Sequence, residues 1–157
     1  MLAKEIAAHD YCLYLFKGMR SNFEELHITS TNFEEPRALE FVSQCITSVA
    51  IHGRRDEGDP STIWLGGLNA ELVTVIESRL REQGFMVSSS GHRFAATNPR
   101  NICNRTRSGR GVQIEVPKTL RQTMRSGAVL RKRFVRAVRE SMRTLARPIQ
   151  STSRAAN

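Results

Sequence analysis

The chain alternates short apolar runs of strand length with longer segments in which apolar residues recur at helical spacing. Apolar or β-branched runs of about four to eight residues predict strands, and an i, i+3, i+4 repeat predicts a helix that buries one face. Strands are predicted at residues 11–16, 26–31, 46–52, 62–65, 85–89 and 111–117, and helices at residues 2–8, 37–44, 70–83 and 128–146. This alternation is typical of an α/β fold.

Local signals support several of these elements. Pro36 suits the first turn of the second helix, Asn69 can cap the third, and Gly84 can end it. Residues 46–52 are almost entirely apolar or β-branched, which predicts a central strand covered on both faces. Residues 89–110 are rich in Gly, Ser, Asn and Arg and predict a long loop.

The last predicted helix has one apolar face and one basic face. Its apolar stripe consists of Leu130, Phe134, Val138, Met142 and Leu145, while six arginines between residues 131 and 147 cover much of the rest. Residues 1–98 contain 9 basic and 13 acidic side chains, whereas residues 99–157 contain 15 basic and 2 acidic ones. Such a field attracts a polyanion, which can be nucleic acid, an acidic polymer or a lipid surface, although a solvated helix face is the simpler interpretation.

Length and composition set the broad class. A chain of 157 residues is within the usual range for one domain, here residues 1–147, followed by a small polar tail at 148–157 that is predicted to be disordered. Three cysteines without paired spacing and the lack of an apolar signal region favour the reducing cytoplasm. No apolar run approaches the roughly 20 residues that cross a bilayer, so no membrane partner is expected.

Two strands carry the candidate chemistry. His52 follows three apolar residues, and Glu115 lies among Val112, Ile114 and Val116. Both groups are expected at the edge or carboxyl end of a sheet, where open α/β folds place their sites. A histidine and a carboxylate so placed suggest metal-assisted hydrolysis. The alternatives are a structural histidine and a half-buried glutamate that pairs with an arginine.

Two further features have simpler explanations. Cys103 lies among arginines, which lower a thiol pKa, but no base is near it in sequence and a buried, inert thiol is favoured. Gly66 and Gly67 lie in neither a phosphate-binding loop nor a complete dinucleotide fingerprint, so a turn from strand to helix explains them.

Four segments together resemble the poly-γ-glutamate hydrolase family of phages and bacteria, whose members are sometimes labelled phage-related replication proteins. They are LHITSTNFEEP, SVAIHG, the run NPRNICNRT at residues 98–106, and GVQIEVPKTLR. The resemblance covers roughly residues 3–143. It implies a zinc-carboxypeptidase-like α/β fold, in which a mixed, mostly parallel sheet lies between helices and zinc is held at the strand ends. It also implies cleavage of γ-linked polyglutamate.

The resemblance assigns roles to residues of this chain. His52 matches a zinc-binding histidine of the family, and Glu115 matches the position expected for the general base, which takes a proton from zinc-bound water. Arg105 and Asn101 in the long loop are candidates for binding a substrate carboxylate, because a guanidinium can bind one bidentately. His27, in the string LHITST, is a further candidate near the substrate.

One part of the family pattern is not found in this sequence. In the family, the first histidine and the glutamate ligand come from an N-terminal His-Gly-Gly segment that precedes the first helix of this chain. The resemblance therefore implies an N-terminally truncated member that retains one of three zinc ligands. His9, His27 and His92 have neither helical metal spacing nor a match to a family ligand. A catalytically silent, basic binding protein is the alternative.

Overall fold

The computed structural model describes residues 2–16 and 28–146, with the backbone alone at residues 145 and 146. The helices are α1 (Leu2–Ala7), α2 (Pro36–Ser43), α3 (Ala70–Glu82), α4 (Lys118–Ser126) and α5 (Ala128–Ala146). The strands are β1 (Val49–Arg54), β2 (Ile63–Gly66), β3 (Val87–Ser88) and β4 (Val112–Pro117), and a 3₁₀ turn spans Ile102–Asn104. No helix in this part of the chain is long and apolar enough to cross a membrane.

The four strands form one mixed sheet with the order β1-β4-β2-β3. Strands β1 and β4 are parallel, as are β2 and β3, whereas β2 and β4 run antiparallel. Two of the three pairings are therefore parallel, and the prediction of a mixed, mostly parallel sheet with helices is confirmed. The register places His52 opposite Glu115 on one side, and Trp64 opposite Glu115 on the other.

One face of the sheet forms the hydrophobic core together with helices α3 and α5. Alternate strand residues point to this face, and those of β2, β3 and β4 are buried: Ile63, Leu65, Val87, Val112, Ile114 and Val116. Leu72, Ile76 and Leu80 of α3 and Phe134 and Val138 of α5 pack in the same cluster. The apolar sides of both helices therefore face the core, because residues three and four apart share one side of a helix.

The local signals for helix ends are confirmed. Pro36 occupies the first turn of α2, and the preceding Glu35 carboxylate accepts from the Ala38 amide at 2.7 Å. Asn69 Oδ1 accepts from the Leu72 amide at 3.1 Å at the start of α3. Gly84 follows that helix with a φ of +84°, which glycine adopts without the steric cost of a side chain.

The prediction that residues 46–52 form a central strand is wrong. Strand β1 lies at the edge of the described sheet, and most of its residues are half-buried. The central position belongs to β4, in which every residue is buried. An apolar run signals burial on both faces but does not tell how many neighbouring strands the chain pairs with, so β1 and β4 looked alike in sequence.

Two other predicted strands are not strands in the described residues. Residues 12–16 have no regular structure, and the Tyr14 hydroxyl donates to Glu35 while its ring packs at 5.9 Å from that of Phe41. The aromatic run thus packs on α2 instead of joining the sheet. Residues 28–31 lead into a turn closed by the Asn32 amide and the Thr29 carbonyl. Residues 26 and 27 and the predicted disordered tail, 148–157, lie outside the described residues.

Candidate active site

The sheet face opposite the core presents a row of polar and aromatic side chains. Because side chains alternate along a strand and opposed residues share a face, His52, Glu115 and Trp64 lie side by side across β1, β4 and β2. Arg54, two residues after His52, and Gln113, two residues before Glu115, point to the same face. The structure therefore brings His52 and Glu115 together, and it does so within the strands rather than beyond their ends.

Glu115 is the most perturbed acid on this face. Its side chain belongs to the central strand and is only 5% exposed. Burial raises its pKa from 4.5 to about 7, an effect that the charges of Arg54 and Arg121 and a hydrogen bond from Gln113 partly offset. A carboxyl group with a pKa near neutrality can both take up and release a proton under physiological conditions, as a general acid or base must.

Arg54 spans the strand beside Glu115. Its guanidinium lies 3.6 Å from the centre of the Trp64 ring and forms an ion pair with Asp59 at 3.4 Å. Its two terminal nitrogens donate to four backbone carbonyls between residues 55 and 62. Arg54 thus fixes the loop between β1 and β2 and places a buried positive charge near Glu115.

The loop predicted at residues 89–110 covers this face. His92 stacks on Trp64 with 5.3 Å between ring centroids, and Phe94 stacks on it at 5.6 Å. A side chain at Gly66 would overlap with the Phe94 and Ala95 carbonyls, so glycine allows the loop backbone to approach β2 closely. The loop is therefore an ordered cover over the Glu115 face.

Asparagine side chains hold the loop in place. Asn104 donates to the carbonyls of Ala96 at 2.7 Å and Asn98 at 3.0 Å, and its Oδ1 accepts from the amides of Leu68 and Gly111 at 3.1 Å. This side chain alone ties together the loop, the start of α3 and the start of β4. Its buried amide has both donors and its acceptor engaged, which is the usual state of a buried polar group.

The predicted site residues have different surroundings in the structure. His52 is half-buried and forms part of the wall of a groove of about 1240 Å³ along β1, α1 and α2. Asn101 is buried and its side chain bonds within the protein, to Cys103 and Gln113. Arg105 faces Glu34, with 3.8 Å between Nη1 and Oε1. His27 lies outside the described residues.

The zinc site implied by the family resemblance does not fit the described side chains. Among residues 2–16 and 28–146, no three His, Cys, Asp or Glu side chains form a group that could hold a metal ion. His52 is placed beside Glu115, but His92 on the same face has both ring nitrogens engaged, with the Ser88 carbonyl and the Phe94 amide. One histidine does not make a three-ligand site.

The cysteines do not add chemistry to the site. In the described residues Cys12, Cys45 and Cys103 are free thiols. Burial raises the pKa of Cys103 to about 12, so it stays protonated at neutral pH. This confirms the interpretation of Cys103 as an inert, buried thiol.

The basic face of α5 is partly neutralised by acidic residues of the same domain. Ion pairs join Arg131 to Glu5, Arg139 and Arg143 to Asp10, and Arg136 to Glu140. The contacts to Glu5 and Asp10 attach α5 to α1 and the residues that follow it. These arginines therefore contribute to the packing of the domain, and no contact among residues 2–16 and 28–144 specifically supports binding of a nucleic acid.

Sequence reasoning missed Gln113, Arg54 and Trp64. Gln113 and Arg54 could have been found from the period of two along a strand, because Gln113 precedes Glu115 by two residues and Arg54 follows His52 by two. Each therefore points to the same face as the residue that was singled out. The contribution of Trp64 depends on the pairing of β2 with β4, which the sequence pattern does not determine.

The raised pKa of Glu115 predicts a loss of stability as pH rises. Between the ordinary pKa of 4.5 and the folded value of about 7, the unfolded chain ionises this group while the folded protein keeps it neutral. The neutral Glu115 carboxyl stabilises the folded state fully below pH 4.5. This contribution, about 3 kcal/mol in the free energy of unfolding, is lost as pH rises through 7. Urea unfolding at pH 5 and pH 9 should show this loss in the wild type and not in Glu115→Gln. Equal pH dependence in the two proteins would contradict the raised pKa.

Fold and site together define an α/β protein with a buried carboxyl group of raised pKa on one sheet face. The chain belongs to the poly-γ-glutamate hydrolase family, whose model matches residues 1–145. It is 37% identical over 126 residues to the SPbeta prophage-derived UPF0714 protein YoqZ of Bacillus subtilis (strain 168), covering 78% of this chain and 45% of YoqZ. It is 32% identical over 126 residues to UPF0714 protein YndL of the same organism, covering 78% of this chain and 49% of YndL. The chain thus spans about half the length of the curated relatives it matches.

Two solved structures share the fold. A bacteriophage poly-gamma-glutamate hydrolase matches with a TM-score of 0.86 and 32% identity, over 92% of this chain and 76% of that one. The zinc-free apo form of YndL matches with a TM-score of 0.79 and 28% identity, over 92% of this chain and 76% of its own. The mixed α/β architecture predicted from the resemblance therefore agrees with the structure of a poly-γ-glutamate hydrolase.

Proposed function

We propose that this chain hydrolyses γ-glutamyl amide bonds of poly-γ-glutamate, with Glu115 as the general base. The observation that carries the proposal is the buried Glu115, with a pKa of about 7, in a domain of the poly-γ-glutamate hydrolase family. A general base works best when its pKa lies near the working pH. The family membership supports the choice of substrate, and the structure supports the choice of residue.

In the proposed reaction one proton passes through Glu115, one C–O bond forms and one C–N bond breaks. Glu115 takes a proton from a water molecule as the water oxygen forms a bond with the carbon of the γ-glutamyl carbonyl. The C–N bond then breaks, and the departing amine takes the proton from Glu115, which returns to its ionised form. The products are a new γ-carboxyl group and a new α-amino group, and Glu115 ends in its starting state.

The surroundings of Glu115 suit this step. The Arg54 charge stabilises the ionised form that accepts the proton, and His92 and Phe94 of the covering loop stack on Trp64, which lies beside Glu115 on the same face. His52, which lies opposite Glu115 in the strand register, forms part of the wall of the groove along β1. His52 as a zinc ligand, and Arg105, Asn101 and His27 as substrate-binding residues, stay predictions of the sequence.

The test is the length of poly-γ-glutamate after incubation with the purified chain. Parallel reactions contain either zinc chloride or a chelator, because the relative YndL has been solved in a zinc-free form. Gel electrophoresis should show shortening of the polymer by the wild-type protein in at least one of these buffers. A polymer whose length is unchanged in both buffers, with folded protein present, would overturn the proposal.

A further inference from the structure

A chain of three buried polar side chains connects the covering loop to Glu115. Asn101 Nδ2 donates to Gln113 Oε1 at 2.8 Å, and Gln113 Nε2 donates to Glu115 Oε1 at 2.9 Å. Asn101 and Gln113 are each 4% exposed, and Glu115 is 5% exposed. Buried hydrogen bonds of this kind are shielded from competition with water, so each one constrains its partners strongly.

The direction of these hydrogen bonds is determined by a backbone group. The Cys103 amide, which can only donate, bonds to Asn101 Oδ1 at 3.1 Å. The Asn101 NH₂ group must then face Gln113, which in turn must offer its oxygen to Asn101 and its own NH₂ group to Glu115. A carboxamide turned the other way would place two donors or two acceptors against each other. The backbone at Cys103 thus dictates that Glu115 Oε1 receives a donor.

We propose that Asn101 and Gln113 are positioning residues for hydrolysis, an amide relay that keeps Glu115 Oε1 a hydrogen-bond acceptor and directs the catalytic proton to Oε2. The catalytic part of this inference rests on the proposed function. The relay itself does not, because it follows from the geometry of the three side chains. In this arrangement Asn101 acts on Glu115 through Gln113, whereas the sequence predicted a contact with the substrate.

A merely structural network would have different consequences. If Asn101 and Gln113 only satisfied each other, then any exchange that kept the buried groups bonded would be tolerated. In the relay, the direction of the bonds matters as well as their number. Asn101→Asp is nearly isosteric but carries no donor, so Gln113 must turn over and present its oxygen to Glu115. Glu115 Oε1 then loses its donor without any loss of volume.

The experiment combines nuclear magnetic resonance of side-chain amides with kinetics. In ¹⁵N-labelled wild-type protein, the Gln113 NH₂ signals, identified by their absence in Gln113→Met, should exchange with water at least 10-fold more slowly than those of the exposed Gln122. They should shift in Asn101→Asp and in Glu115→Gln. Asn98→Asp is the matched control, since Asn98 lies in the same loop and is exposed.

The kinetic arm uses the same variants with poly-γ-glutamate. Asn101→Asp should lower kcat about 100-fold, the scale of a misplaced catalytic group, while KM stays within about threefold of the wild type. Asn98→Asp should retain wild-type kcat. If Asn101→Asp does not fold, then Gln113→Met, which is of similar volume and lacks the donor, should give the same loss of kcat.

The two arms separate the relay from the proposed function. Fast exchange of the Gln113 amide in the wild type, or signals that do not respond to Asn101→Asp, would overturn the relay whether or not the chain is active. Protected, responsive signals with unchanged kcat in the variants would overturn its catalytic part and leave the proposed function standing. Protected signals in a wild-type chain that cleaves nothing would support the relay and contradict the proposed function.

Discussion

Replacing Glu115 by glutamine is expected to lower the rate of poly-γ-glutamate cleavage by a factor of about 10² to 10⁴, the usual contribution of a general base. Glutamine keeps the size of the side chain and an oxygen that accepts from Gln113, but it cannot take up a proton from water. In the wild type, the rate should rise with pH and level off above about 7, where the Glu115 carboxyl is ionised. The measurement is the initial rate of new amino-group formation between pH 5 and pH 9.

The matched control for this variant is Glu40→Gln. Glu40 is an exposed glutamate on α2, so its replacement removes a carboxylate from the protein without changing the sheet face that carries Glu115. Glu40→Gln should keep the wild-type rate and pH profile. The role of Glu115 as the base is refuted if folded Glu115→Gln cleaves the polymer within a factor of three of the wild type.

The largest expected effect on stability comes from Phe134→Ala. Phe134 is fully buried on α5 and meets Phe85 edge to face, with 5.8 Å between the ring centroids. Its removal leaves a cavity between α5 and the sheet, which costs about 3 to 5 kcal/mol in the free energy of unfolding. For a domain of this size the melting temperature should fall by about 10 °C. Urea unfolding and thermal melting followed by circular dichroism measure both quantities.

Val129→Ala is the control for the same helix. Val129 is 68% exposed at the start of α5, so shortening it should change the free energy of unfolding by less than about 0.5 kcal/mol. A loss below 1 kcal/mol in Phe134→Ala would show that α5 does not pack against the sheet as described.

Much of the fold could be predicted from the sequence because its signals are local. The caps at Pro36, Asn69 and Gly84 and the apolar stripes of α3 and α5 depend on residues a few positions apart. The placement of β1 could not be predicted, because a strand's neighbours are set by contacts far along the chain. The aromatic run at residues 11–16 has strand-like composition, but it packs on α2, where Tyr14 contacts Phe41.

The candidate site was predicted in part. Each of the two strand segments delivers one reactive group, and the register then places His52 opposite Glu115. The environment of Glu115 was not predicted, because it depends on Arg54 reaching across the sheet to Trp64 and on the loop that carries Asn101. Arg105 was assigned to the substrate from its residue type, whereas its contact in the structure is with Glu34. Contacts between residues this far apart in the chain cannot be predicted from the spacing of residue types.

Hydrolysis of γ-linked glutamate by Glu115 can be tested by mass spectrometry of the products formed in H₂¹⁸O. Oligomers of γ-linked glutamate and matched α-linked oligomers are incubated with the wild-type chain and with Glu115→Gln, in buffers with zinc chloride or a chelator. The wild type is expected to cleave only the γ-linked oligomers and to place one ¹⁸O atom in each new γ-carboxyl group, and Glu115→Gln is expected to do so at least 100-fold more slowly. Intact γ-linked oligomers after incubation with folded wild-type protein, or equal cleavage by both proteins, would contradict this expectation.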